Sequence, residues 1–196
     1  MDDVYLTKIS DILRESSKNK LNIFDFANSF SQTQLDSKKW LIKTLLTQKF
    51  KPNPSILVLG GWYGSYLVPF IQQDIKPLHI YFNDIEQSYL NVALKLHKAR
   101  NISFHCFDAT KQYDLFDVDI VINTSCEHMN SYSQMLKTGS DTLFVLQSCD
   151  NTNDPGHINA SKNTEHFISK VGLNKIFVKS RLNLGHKNRF MIIGKI

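Results

Sequence analysis

Glycine, carboxylate and imidazole residues stand at the ends of successive apolar runs in this chain, and their spacing sets the chemistry open to it. Gly60-Gly61-Trp62-Tyr63-Gly64 follows the run Ile56-Leu57-Val58-Leu59. Glycines there let the backbone turn and pass close to a ligand. Asp84 lies 20 residues past Gly64 and ends the run Leu78-His79-Ile80-Tyr81-Phe82-Asn83. A carboxylate at such a strand tip can accept from both hydroxyls of a ribose; its plainer role is a turn or cap residue. Asp108 closes a third run, 102–107, where it can accept from the exocyclic amine of adenine or cap the next segment. Glu127 and His128 come shortly after a fourth run, 119–123. An imidazole titrates near neutral pH and can serve as a general base. His157, in Asp154-Pro155-Gly156-His157, can join them from a later loop. The competing reading makes Glu127 a helix cap and packs His128 against a sheet.

The elements that must carry these residues are legible in outline. Pro52 and Pro54 forbid a continuing helix and separate an N-terminal segment, 1–51, from the remainder, 52–196. Before them, 4–13 reads as a short helix. Ser31-Gln32-Thr33-Gln34 has capping-box spacing ahead of a broad apolar face on Leu35, Leu41, Ile42, Leu45 and Leu46. After them, strand-like runs at 56–59, 78–82, 102–107, 119–123 and 142–146 alternate with helical stretches at 65–73, 88–98, 127–137 and 161–171. Gly172 stops the last helix. The runs 175–182 and 189–193 have no helix between them, so they form an antiparallel hairpin. The sum is an α/β three-layer sandwich. Its seven-stranded sheet is mostly parallel and ends in an antiparallel hairpin, with an N-terminal helical extension. In such a sheet ligands bind beyond the carboxyl ends of the strands, where the residues above fall.

The chain has 196 residues, a length that fits one domain and can bury a core without disulfides or metals. The three cysteines, Cys106, Cys126 and Cys149, make no CxxC pair, which argues against a disulfide scaffold or zinc knuckle. No apolar run approaches a membrane span, and the polar start MDDVYLTKIS is unlike a secretory signal. A cytoplasmic protein with no membrane contact is expected. Net charge is +5, distributed as +3 over 1–51, −5 over 52–159 and +7 over 160–196. The basic hairpin could meet nucleic acid or another anion. Interleaved aromatics are few, which favours a solvated, aggregation-resistant edge.

The order of these motifs resembles a class I S-adenosylmethionine-dependent methyltransferase from Ser55 to Ile196. Residues 56–64 resemble the first motif, which meets the methionine part of the cofactor. Asn83-Asp84 resembles the ribose-binding second motif and Phe107-Asp108-Ala109 the adenine-side third. Leu115-Phe116-Asp117-Val118 resembles the family's "FDVV" strand, and Cys126-Glu127-His128-Met129 its "EHM" signature. The resemblance implies S-adenosylmethionine as cofactor. It places Gly60, Gly61, Gly64, Asp84, Ile85, Asp108, Ala109 and Asn123 against that cofactor. It places Glu127, His128 and His157 where the transferred methyl would point.

Two positions depart from the pattern. Val58 stands where the family carries an acid, and Trp62 where the middle glycine of G-x-G-x-G falls, so its side chain must point away from the cofactor or pack over it. Some related O-methyltransferases hold a divalent metal with E-x-x-E-H and a later histidine. Thr124 occupies the first of those positions, so no metal is expected and His128 is preferred as a base. The acceptor is left open between a small molecule, a protein and an RNA. An alternative is a protein that binds the cofactor without transferring the methyl, in regulation or assembly. A nicotinamide-dependent oxidoreductase is argued against by the hairpin and by the lack of a Tyr-x-x-x-Lys pair after the fourth or fifth strand. Residues 24–40, with Phe30 and Trp40, are expected to pack across the cofactor mouth as a lid.

Overall fold

The computed structural model describes residues 3–16, 21–111, 117–138 and 141–196. Leu115 and Phe116, the start of the FDVV-like motif, lie outside them. Strand β1, Ser55–Leu59, is buried along all but its first residue because it pairs on both edges, with β2 (His79–Asp84) and β4 (Ile120–Asn123), both parallel. Such a strand needs the continuous apolar run read in the sequence. β3 (Ile102–Cys106) extends the sheet beyond β2, and β5 (Leu143–Cys149) beyond β4. β7 (Asn188–Lys195) then inserts antiparallel between β5 and β6 (Lys175–Asn183). The order is β3-β2-β1-β4-β5-β7-β6, with seven strands and one running against the rest, as the sequence implied.

Each face of the sheet has its own core. Helices α3 (Gln32–Leu45), α4 (Leu67–Phe70) and α5 (Gln87–His97) cover one face, packing Leu41, Leu45, Val68 and Leu90 on Val58, Phe82 and Ile122. On the other face α6 (Thr164–Val171) packs Phe167 and Val171 on Leu57, Val121 and Phe144. Gly172 ends α6 at φ 76°, as its position implied. Helices α1 (Asp3–Arg14) and α2 (Ile23–Asn28) join α5 and the β1–α4 turn through an aromatic cluster of Tyr5, Phe26 and Tyr63. Among the described residues no helix is long and apolar enough to cross a membrane.

Three local expectations change. The stretch 127–137 is not an α-helix but two short 3-10 turns, Cys126–His128 and Met135–Thr138. Between them the Ser131 hydroxyl takes the Ser133 N–H at 3.3 Å, the side-chain competition that disfavours helix. The helix expected at 65–73 runs only from Leu67 to Phe70 and widens into a π-turn, Ile71–Ile75, closed by Lys76 at φ 55°. Pro69, lacking an N–H, is tolerated in that first turn. The capping box does not form: Ser31 sits at the N-cap of α3 but makes no cap bond, its hydroxyl facing Thr33 Oγ1 at 3.2 Å. Gln34 turns toward a cavity instead of reaching back.

The N-terminal helices are tied in by buried polar bonds. Tyr5 O–H donates to the Ser65 carbonyl at 2.7 Å, and the Ser29 and Ser65 hydroxyls meet at 2.6 Å. Ser37 O–H reaches Gln147 Oε1 on β5 at 3.1 Å. Trp40 packs on the core under the sheet and Phe30 in the aromatic cluster, so neither stands at the mouth where the sequence reading put them.

Candidate active site

The carboxyl ends of β1, β2 and β4 open into a cavity of about 440 Å³. Its floor is the turn after β1, where Gly60 and Gly64 take φ 59° and 66°. Gly61 and Gly64 are also required by packing, since a Cβ on either would run into the Phe82 ring. Trp62 itself adopts φ 55°, a left-handed conformation costly for a bulky residue. Its N–H donates to Asp84 Oδ2 at 2.7 Å and its indole Nε1–H to Asp25 Oδ2 at 3.1 Å. Tyr63 O–H also donates to Asp25 Oδ2, at 3.2 Å. The missing middle glycine is thus offset by a tryptophan pinned between two carboxylates, one of them from α2. Its ring packs on the aromatic cluster while its edge borders the cavity.

Asp84 ends β2 with 6% of its surface exposed. Besides Trp62, it accepts from Glu86 N–H at 3.0 Å through Oδ1. Burial pushes its carboxyl up, against the pull of the Glu86, Trp62 and Ile85 N–H groups. A carboxylate offers about four acceptor sites, so it retains room for a further donor. Asp108 accepts from Thr110 N–H at 2.9 Å and Thr110 O–H at 2.7 Å, and these bonds hold its carboxyl below the usual range. It therefore caps the next turn while it also lines the cavity with Ile85 and Ala109. Asn123 does not reach the cavity. It is fully buried behind the wall, where its Oδ1 accepts from Ser125 N–H at 2.9 Å and its amide donates to Met129 Sδ.

Glu127 and His128 diverge in role. Glu127 is 2% exposed and accepts at Oε1 from Arg189 Nη1 at 2.7 Å. Arg189, itself 6% exposed, also donates from Nη2 to the Thr124 carbonyl at 2.6 Å. Desolvation works to raise the Glu127 pKa, but Arg189, a backbone bond and the two nearby histidines outweigh it and keep the carboxyl below its ordinary value. Its Oε2 is buried with no hydrogen-bond partner among the described residues. His128 is exposed and directs Nδ1 to the Gly156 carbonyl at 2.9 Å. That contact makes Nδ1 the N–H and leaves Nε2 as an acceptor. The His157 ring stands edge-on to it at 4.7 Å, with Nδ1 on the Asn151 carbonyl at 2.6 Å.

The three residues therefore do converge, joined by Arg189 and by Lys38 of α3 and Lys187 of the β6–β7 turn. Glu127, Cys149 and His157 also bring one ligand atom each within 4.8 Å of one another. The Arg189 guanidinium on Glu127 opposes a cation there.

Sequence reasoning missed Arg189, Asp25 and Lys38. Arg189 left a signal, because an arginine entering the apolar strand Arg189-Phe190-Met191-Ile192-Ile193 must find a buried partner. Asp25 and Lys38 left none: each sits on a helix whose docking face only the tertiary structure defines.

The sheet order and the terminal hairpin are those of the class I S-adenosylmethionine-dependent methyltransferase fold. No protein-family model and no curated protein matches the sequence. Among solved structures, the N-methyltransferase NodS from Bradyrhizobium japonicum superposes with a TM-score of 0.63 at 11% identity, covering 85% of this chain and 98% of that one. A SAM-dependent methyltransferase from Aquifex aeolicus gives 0.58 at 15% identity, over 80% and 89%. The magnesium protoporphyrin IX methyltransferase of Synechocystis, solved with bound SAH, gives 0.58 at 14%, over 82% and 81%.

Proposed function

We propose that this chain is an S-adenosylmethionine-dependent methyltransferase. The observation that carries the reading is the cavity at the carboxyl edge of β1 and β2. It is floored by a turn with three positive-φ residues and flanked by the Asp84 carboxylate. Asp84 would hold the ribose with its remaining lone pairs, and Asp108, Ile85 and Ala109 would border the adenine. Asp25, Asp84, Glu86 and Asp108 give this half of the cavity a negative charge suited to a cationic nucleoside. When bound, the cofactor supplies an electrophilic methyl on a sulfonium. The protein then has to position the acceptor and exclude water. His128 Nε2 would accept the proton an acceptor must lose. Residues of 24–40 would act as a lid, since Asp25, Asn28, Ser29 and Gln34 wall the same cavity.

Calorimetry with S-adenosylmethionine, S-adenosylhomocysteine and NAD tests the reading. Both sulfur nucleosides should bind and NAD should not. Loss of His128 (His128→Ala) should slow transfer by roughly 10²–10⁴-fold with cofactor affinity near normal. Binding of NAD alone would defeat the proposal.

A further inference from the structure

The basic C-terminal stretch is divided by the fold. Lys175, Lys179 and Arg181 occupy exposed positions along β6, the edge strand, which is the solvated face expected from the sequence. Lys187 and Arg189 instead enter the cavity, where Lys38 joins them from α3. Arg189 is committed to Glu127 and the Thr124 carbonyl. The ammonium groups of Lys38 and Lys187 have no hydrogen-bond or ion-pair partner among the described residues. Three cations thus gather beside the buried Glu127 carboxylate, with the half-exposed Asp154 carboxylate on the same wall near His157 and Lys187. Desolvation, Arg189 and Lys187 press the Lys38 ammonium down to about 7, against the pull of Glu127. Repulsion of this kind is relieved when an anion enters.

We propose that Lys38 and Lys187 form an anion subsite that takes a carboxylate or phosphate group of the methyl acceptor, beside Glu127 and His128. The proposal rests on the methyltransferase reading and names its substrate class: a small acidic molecule. The acidic cluster around Asp84 and the cationic cluster around Arg189 share one cavity, so a cationic cofactor and an anionic acceptor would each meet the opposite charge. The acceptor's charge would also anchor it at a distance from the reacting atom, the kind of remote contact that orients a substrate.

The test titrates the protein loaded with S-adenosylhomocysteine with sodium phosphate and, separately, sodium acetate, at ionic strength held constant with chloride. At least one anion should bind saturably, and the two arms tell phosphate from carboxylate. Lys38→Met and Lys187→Met should each weaken that binding at least tenfold and leave S-adenosylhomocysteine affinity unchanged. Lys179→Met, on the outer face of the same hairpin, should leave both unchanged. Normal loading with no anion binding, or equal binding in all three variants, overturns the subsite. Weaker loading in the two cavity variants also overturns it, by assigning the lysines to the cofactor's own carboxylate. Failure of the wild-type protein to load counts against the methyltransferase reading alone, and the same titration of the unloaded protein then decides the subsite.

Discussion

Replacing Asp84 by alanine should damage both the fold and the cofactor site, and the two effects can be separated. The carboxylate accepts the Trp62 and Glu86 N–H groups at 2.7 and 3.0 Å, and Trp62 is held there at φ 55°. Hydrogen bonds to a charged group contribute about 1.5–3 kcal/mol each. Removing two would cost roughly 3–6 kcal/mol, less the cost of burying the charge, which acts in the direction its raised pKa indicates. The expected loss of stability is about 2–4 kcal/mol, a melting temperature lower by roughly 5–15 °C for a chain of this size. Affinity for S-adenosylhomocysteine should fall about 30- to 1,000-fold as the ribose partner is lost. Asp84→Asn keeps one acceptor oxygen, so it should lose about half the stability yet most of the affinity. Thermal unfolding and calorimetry on both variants decide. Wild-type melting and wild-type affinity in Asp84→Ala would refute the reasoning.

Gly61→Ala places a methyl against the Phe82 ring, so urea unfolding should show a loss of about 1–3 kcal/mol; an unchanged midpoint would mean the turn has room to shift. Arg189→Met strands the buried Glu127 carboxylate and should destabilise by about 3–5 kcal/mol, with much of the loss recovered when Glu127→Gln is added. Lys38 has a folded pKa of about 7 against 10.5 for the free side chain, so between those values the unfolded chain binds more protons and stability rises with pH. The gain of Lys38→Met over wild type should therefore be largest below pH 7 and shrink toward pH 10; a pH-independent difference in melting temperature would contradict the assignment.

Much of the architecture was legible because it depends on local pattern. Ile56-Leu57-Val58-Leu59 could only be a strand buried on both faces, and the two β-like runs after Gly172, with no helix between them, could only be a hairpin. The places of Gly60, Gly64 and Asp84 on the cavity wall were readable because their positions at strand tips follow from the strands themselves. Helices were less legible where side chains compete with the backbone, as Ser131 does with Ser133 N–H in the stretch read as helical. Only tertiary structure could bring Arg189 onto Glu127, 62 residues away, or lay Asp25 against the Trp62 indole. Those pairings arise where separate elements meet, and no sequence period encodes the distance between them. It likewise took the fold to turn Lys187 inward while Lys179, on the same hairpin, faces water. A strand's pattern shows which residues share a face, but what that face meets depends on the elements packed beside it.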